Sequence, residues 1–166
     1  MKKIIVFLLL TLSSITIYSQ NSLKELLHKN NNETIPYVSV KKLQRMASNV
    51  TVLDARELKE YKTSHIKSAI HVGYDHFDVE DTIHKLPSKK DSPIVVYCSL
   101  GIRSEDVAEH LKAKGYTQVY NLYGGIFEWK NENGQVYNMR NQPTEKIHTF
   151  NKDWSVWLKK GIKVYE

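Results

Sequence analysis

Short apolar runs alternate with amphipathic stretches along most of this chain, and the alternation predicts its architecture. Val50 to Leu53 and Ile94 to Tyr97 are brief, largely β-branched runs, the second directly after Pro93. Runs this short and this apolar read as interior strands of a parallel sheet covered on both faces. Gln118 to Leu122 supplies another, and Tyr37-Val38 a shorter one. Helical patterns lie between them. Ser39 is placed to cap a helix that uses Val40, Leu43 and Met46-Ala47 as its inner face and ends at Asn49. Asp78 to Leu86 carries Val79, Ile83 and Leu86, and Glu105 to Gly115 carries Val107, Ala108 and Leu111, with Gly115 as its C-terminal stop. The pattern predicts an α/β domain with a central, mainly parallel sheet flanked by helices.

The two ends follow different patterns. Met1-Lys2-Lys3, the apolar stretch Ile4 to Leu12 and the small and polar residues up to Ser19-Gln20 read as a secretory signal peptide over residues 1–19. That stretch is shorter than the roughly 20 residues a spanning helix needs and lacks a positive flank on its far side, so no stable membrane span is expected. The expectation is export, to a periplasm or the exterior. Residues 20–35 read as a short helix with Leu23, Leu26 and Leu27, then a polar linker. Residues 36–136 hold the domain, and 137–166 form a C-terminal extension. There Asn151 is placed to cap a helix carrying Trp154, Trp157 and Leu158, with Gly161 as its stop. Two tryptophans on one helical face are expected to dock on the domain itself or to form a partner surface.

Charge narrows the function classes. The formal net charge of +6 falls to +4 once Lys2 and Lys3 leave with the leader, and no Lys/Arg cluster is interleaved with aromatics. Nucleic-acid binding is not indicated. His71, His76 and His84 stand among scattered acids without ligand spacing, so no metal is expected.

Cysteine usage adds the candidate chemistry. Cys98 is the single cysteine of the chain, and in an exported protein a lone thiol is reactive, intermolecular or buried. It stands where the strand Ile94 to Tyr97 ends and just before a helix begins, so the backbone N–H groups of the loop Ser99-Leu100-Gly101-Ile102-Arg103-Ser104 are expected to converge on its sulfur and favour a thiolate. Gly101 lets the loop turn, and Arg103 is expected to add a planar cation at its rim. Glu105 and Asp106, which would oppose ionisation, are expected to point outward from the first helical turn. Asp54 and Arg56, two residues apart at a strand end, read as a framework pair, and His65 as an internal hydrogen-bonding residue.

Cys98-Ser99-Leu100-Gly101-Ile102-Arg103-Ser104 resembles the Cys-x-x-Gly-x-Arg-Ser loop of single-domain rhodaneses. Val52-Leu53-Asp54-Ala55-Arg56 with Glu60-Tyr61 and His65-Ile66 is similar to a second family segment, and Leu122-Tyr123-Gly124-Gly125 with Trp129 to a third. Ser64, Lys67 and Ser68 depart from it, standing where the family usually has glycine, proline and glycine. The resemblance covers about Tyr37 to Val136. It implies a rhodanese-like three-layer fold, a bracing role for Asp54 and Arg56, no cofactor, and sulfur transfer through a Cys98 persulfide from thiosulfate or a similar anionic donor to cyanide or a thiol. A protein acceptor recruited by the C-terminal extension is a further partner to consider. The alternatives are a non-catalytic or protein-directed sulfur-carrier module and phosphatase or arsenate-reductase chemistry. The last is disfavoured because four residues, not five, separate Cys98 from Arg103, and because Tyr97 occupies the usual position of a histidine.

Overall fold

A computed structural model describes residues 23–46 and 49–165; the expected signal peptide lies outside them. The chain divides into residues 1–32 and 33–166. In the first unit residues 23–30 are helical (α1), with Asn30 Nδ2 donating to the Leu26 carbonyl at 2.7 Å. No helix among the described residues is long and apolar enough to cross a membrane.

The second unit is built on a parallel sheet of β1 (Tyr37–Val38), β2 (Thr51–Asp54), β4 (Ile70–His71), β5 (Ile94–Tyr97) and β6 (Val119–Leu122), in the order β1-β6-β5-β2-β4. Every side chain of β5 is buried, as a central strand covered on both faces requires. Ile94 and Val96 face one side and join Val107, Ala108 and Leu111 of helix α5 (Arg103–Ala113) in the core. Val95 and Tyr97 project to the opposite face and are also shut off from water.

Other helices connect the strands. α2 (Val40–Met46) starts where Ser39 Oγ accepts the Lys42 N–H at 3.3 Å. α3 (Leu58–Thr63) opens with a capping box between Glu57 and Glu60. α4 (Val79–Ile83) starts at Asp78, whose carboxylate accepts the Glu80 and Asp81 N–H groups, and is shorter than the expected Asp78–Leu86 helix because the chain then tightens into i,i+3 turns, Lys85 N–H to the Thr82 carbonyl at 3.0 Å and Leu86 N–H to that of Ile83 at 3.1 Å. α6 (Gly125–Asn131) buries Ile126 and Phe127. Trp129 is half-buried, and its indole N–H donates to the Gln135 carbonyl at 3.0 Å. A Cβ at Gly134 would collide with that indole.

β3 (His65–Ile66) leaves the main sheet and pairs antiparallel with β7 (Val136–Tyr137), which pairs with β8 (Pro143–Thr144). After β3 the Ala69 N–H reaches the Ile66 carbonyl at 3.0 Å, and Ser68 takes φ +62°. Serine thus supplies the left-handed residue where the related family usually places glycine, at some backbone cost.

The extension runs through β9 (Lys146–His148), which packs on α3 and pairs in parallel with β10 (Ile162–Val164). The expected tryptophan-bearing α-helix is a single 3₁₀ turn, Trp154–Trp157. Asn151 Oδ1 does accept the Trp154 N–H at 2.9 Å. The segment closes after one turn because Leu158 is extended and buried, so the chain turns inward there.

Candidate active site

The site forms where β5 delivers the chain beyond the carboxyl ends of the parallel strands, the region where open α/β sheets bind ligands. Cys98 is buried, and its Sγ accepts the Gly101 N–H at 3.1 Å. Gly101 takes φ +106° to aim that amide inward. The loop was expected to converge several amides on the sulfur. Among the described hydrogen bonds Gly101 supplies the backbone donor, and the Ser104 hydroxyl lies 3.5 Å from Sγ.

Ser104 is itself oriented. Its Oγ donates to Asn121 Oδ1 at 2.7 Å, while Asn121 Nδ2 donates to the Gly101 carbonyl at 2.8 Å. One buried amide on β6 therefore holds both ends of the turn that faces Sγ. The single Ser104 hydroxyl proton has Asn121 Oδ1 as its near acceptor and Cys98 Sγ as the more distant one. On the other side the Cys98 and Ser99 carbonyls accept the Ile126 and Phe127 N–H groups at 2.9 and 3.2 Å. A Cβ on Gly125 would collide with those carbonyl oxygens, so this close approach of α6 to the loop requires glycine.

Arg103 was expected as a planar cation at the rim, and the structure gives it a carboxylate partner as well. Its Nη1 and Nη2 donate to Glu60 Oε2 and Oε1 at 2.8 and 2.9 Å, and Nη2 reaches Ser99 Oγ at 3.0 Å. Ser99 donates to Glu60 Oε1 at 2.9 Å, and Glu57 gives its N–H to Oε2 at 3.0 Å. The Arg103 Nε–H edge takes no part in this pair. Burial pushes the Glu60 carboxyl upward, but the Arg103 hydrogen bonds and charge, with Arg56 and the Glu57 amide, hold it below the usual carboxylate range. Burial works against the Arg103 cation, and Glu60 together with a negative Cys98 sulfur reverses that and raises its pKa. The side chains of Leu100 and Ile102 are apolar, the first buried and the second half-buried.

Asp54 and Arg56 lie deeper. Arg56 Nε and Nη2 grip the Asp54 carboxylate at 2.9 and 2.6 Å, and Nη2 also donates to the Ser64 carbonyl at 2.6 Å. The register pairs Asp54 with Tyr97, whose hydroxyl donates to Asp54 Oδ2 at 2.6 Å and accepts the Ile66 N–H at 3.1 Å. Burial works against the Arg56 cation, but the charge and hydrogen bonds of Asp54 with the charges of Tyr97 and Glu60 together outweigh it, so its pKa rises; burial, then the Asp54 charge, drives that of Tyr97 well above 10. His65 is buried, stacked on Tyr61 with centroids 4.1 Å apart, and its Nδ1 lies 3.1 Å from the Tyr61 carbonyl.

Of the two acids in the first turn of α5, one points outward as expected and the other does not. Asp106 is exposed and accepts the Tyr74 hydroxyl at 2.7 Å, which lifts the Tyr74 pKa to about 12. Glu105 does not point into solvent: it is buried and accepts the Thr34 N–H at 3.2 Å, because the segment entering β1 crosses that face of α5. Among the described residues no group of acids, histidines and cysteine is placed to hold a metal. Asn121 and the full role of Glu60 were missed. The signal for Asn121 was present, since an asparagine inside an apolar strand needs buried partners.

Comparison with known proteins adds a second line. Residues 39–132 match the family model of the rhodanese-like domain. The thiosulfate sulfurtransferase GlpE of Coxiella burnetii is 34% identical over 82 residues, which span 49% of this chain and 73% of that protein. The tRNA uridine(34) hydroxylase of Photorhabdus laumondii is 33% identical over 101 residues, spanning 58% of this chain but 29% of that enzyme. A rhodanese-related protein from Thermoplasma volcanium superposes with a TM-score of 0.53 at 26% identity, over 61% of this chain and 96% of that one. The Pseudomonas aeruginosa thiosulfate sulfurtransferase, at 19% identity and a TM-score of 0.58 over 84% of this chain and 26% of that one, shares the fold.

Proposed function

The chain belongs to the rhodanese-like domain family, and from that premise we propose that it moves sulfane sulfur from thiosulfate or a similar donor to a thiol or cyanide through a Cys98 persulfide. The observation that carries the reading is the Gly101 N–H directed at Cys98 Sγ at 3.1 Å, in a turn braced by Asn121. A thiolate is the nucleophile this chemistry needs, and the amide is placed to meet negative sulfur during the transfer.

In the first step the Cys98 thiolate attacks the outer sulfur of thiosulfate. A new S–S bond forms, the donor's S–S bond breaks, and its electron pair leaves with sulfite. An acceptor thiolate or cyanide then attacks the outer sulfur of the persulfide, takes it, and returns the Cys98 thiolate. Electrons balance within the two displacements, so no cofactor is required. Gly101, with the other amides from Ser99 to Ser104, would stabilise the anionic outer sulfur, and the Nε–H edge of Arg103 would meet the donor's sulfonate. Asp54, Arg56 and His65 hold the framework.

The relatives that are tRNA hydroxylases are matched over less than a third of their length, so their activity is not carried over. Reading residues 1–19 as a signal peptide places the reaction outside the cytoplasm. Residues 36–136 would act as the rhodanese unit, with 137–166 as an addition of this chain. The N-terminal mass of protein recovered from cell fractions tests the export reading. Intact mass after thiosulfate treatment of reduced protein tests the chemistry. A gain of about 32 Da, removed by cyanide and absent from Cys98→Ser, is expected. Reduced protein that stays unmodified with several sulfane donors overturns it and favours a non-catalytic binding module.

A further inference from the structure

The family match ends at residue 132, yet the chain beyond it returns to the mouth of the Cys98 loop. Phe150 lies with its ring centroid 5.4 Å from Arg103 Cζ, and Trp154 meets that ring at 5.8 Å in a tilted edge arrangement. Phe150 is 46% exposed, so nearly half of an apolar residue has been left in water beside a guanidinium. Its backbone is left-handed, with φ +65°. A bulky side chain reaches that region only against strain, which persists where surrounding bonds fix it and which clusters at ligand-contacting positions.

The fixing bonds are present. The Phe150 N–H donates to Nδ1 of the buried His148 at 3.1 Å. On either side, the Thr149 N–H reaches the Val164 carbonyl at 2.9 Å and the Asn151 N–H the Thr149 carbonyl at 2.7 Å. β9 and β10 clamp the segment, and β9 rests on α3, the helix that carries Glu60. The strained phenylalanine is thus held against the arginine that leads into the Cys98 loop.

We propose that Phe150, backed by Trp154, is an aromatic subsite that selects anions carrying an apolar substituent beside their sulfur-bearing head over small hydrated ones. The chemistry of the two halves is complementary. Arg103 offers its Nε–H edge to a sulfonate oxygen, and the Phe150 ring offers apolar surface next to it, removed from water when a hydrophobic group covers it. An inorganic anion has nothing to place on that ring. Organic thiosulfonates have both parts. The subsite rests on the sulfur-transfer reading for its purpose, but its recognition is measurable without transfer.

Benzenesulfonate and methanesulfonate, both unreactive and of equal charge, are titrated calorimetrically into the reduced full chain. Benzenesulfonate should bind on the order of tenfold more tightly, as one aromatic contact would give. Phe150→Ala should erase the preference and Phe150→Trp should keep it. Phe150→Gly, which removes the ring while relieving the left-handed backbone, should behave as the alanine variant and guards against a folding defect. Equal affinity of the two sulfonates in the unaltered chain, no binding of either, or a preference that survives in both Ala and Gly variants overturns the subsite. If the preference depends on Phe150 while thiosulfate leaves no sulfur on Cys98, the subsite stands and the sulfur-transfer reading falls.

Discussion

Asp54–Arg56 and Glu60–Arg103 are both carboxylate–guanidinium pairs with little access to water, and they differ in what else they hold. The first, wholly buried, is bonded into backbone: Arg56 holds the Ser64 carbonyl, and Asp54 is tied through Tyr97 to the Ile66 N–H. The second, with Arg103 14% and Glu60 2% exposed, is bonded into the loop through Ser99. A pair anchored to sheet and strand ends fixes the framework, whereas a pair anchored to a reactive loop fixes the approach to the sulfur. The same chemistry, a few residues apart, is therefore expected to show up in different measurements.

The largest effect is expected from Asp54→Ala. It strands the Arg56 cation in the interior and should cost about 3–5 kcal/mol, read as a fall in the urea midpoint. Loss of activity should only follow loss of folded protein. A stably folded but inactive Asp54→Ala would merge the two pairs into one functional unit. Glu60→Gln should behave the other way round. Arg103 is partly solvated and keeps Ser99, so stability should drop by about 1–2 kcal/mol. The rate of persulfide formation should fall roughly tenfold or more, because the loop loses the group that orients it. Unchanged kinetics in this variant would reduce the second pair to a structural one.

Acid and alkali separate the pairs without mutation. Glu60 has a folded pKa below its unfolded value near 4.5, so its contribution is present above that pH and is lost as pH falls through the folded value. Tyr97 has a folded pKa well above 10. The unfolded chain gives up that proton first, so stability is full below about pH 10 and declines above it. Tyr97→Phe should cost about 1–3 kcal/mol at neutral pH by leaving the Ile66 N–H unpaired and should flatten only the alkaline limb of the stability profile. Glu60→Gln should flatten only the acid limb. A single variant that flattened both would show the pairs to be coupled.

The sheet was legible because β5 and β2 are short, largely β-branched runs, a pattern that needs no long-range information to read. The loop was legible from its position between strand and helix. What escaped the sequence was pairing at a distance. Arg103 stands 43 residues from Glu60, and nothing local distinguishes a cation that faces solvent from one already claimed by a helix N-terminal glutamate. Glu105 misled for the same reason: acid in a first helical turn normally faces water, but here the segment before β1 crosses it. The 3₁₀ turn at Trp154–Trp157 shows the limit of spacing arguments. Asn151 does cap, yet the chain must turn inward at Leu158.

The smallest expected effect calibrates the others. Lys85 and Asp81 form an i,i+4 pair on α4 and its following turn, with 42% and 65% of their side chains exposed. Their separation of 2.6 Å equals that of the buried Arg56–Asp54 pair, so distance alone would rank the two alike. Water screens the exposed charges, and either group can be rehydrated when its partner is lost. Lys85→Ala should therefore change stability by about 0.5 kcal/mol or less, a difference that raised salt should shrink further. Persulfide formation at Cys98 should be indistinguishable from that of the unaltered chain. A cost comparable to that of Asp54→Ala would mean that burial and backbone anchoring are not what separates these pairs. The contrast between framework and loop would then lose its physical basis.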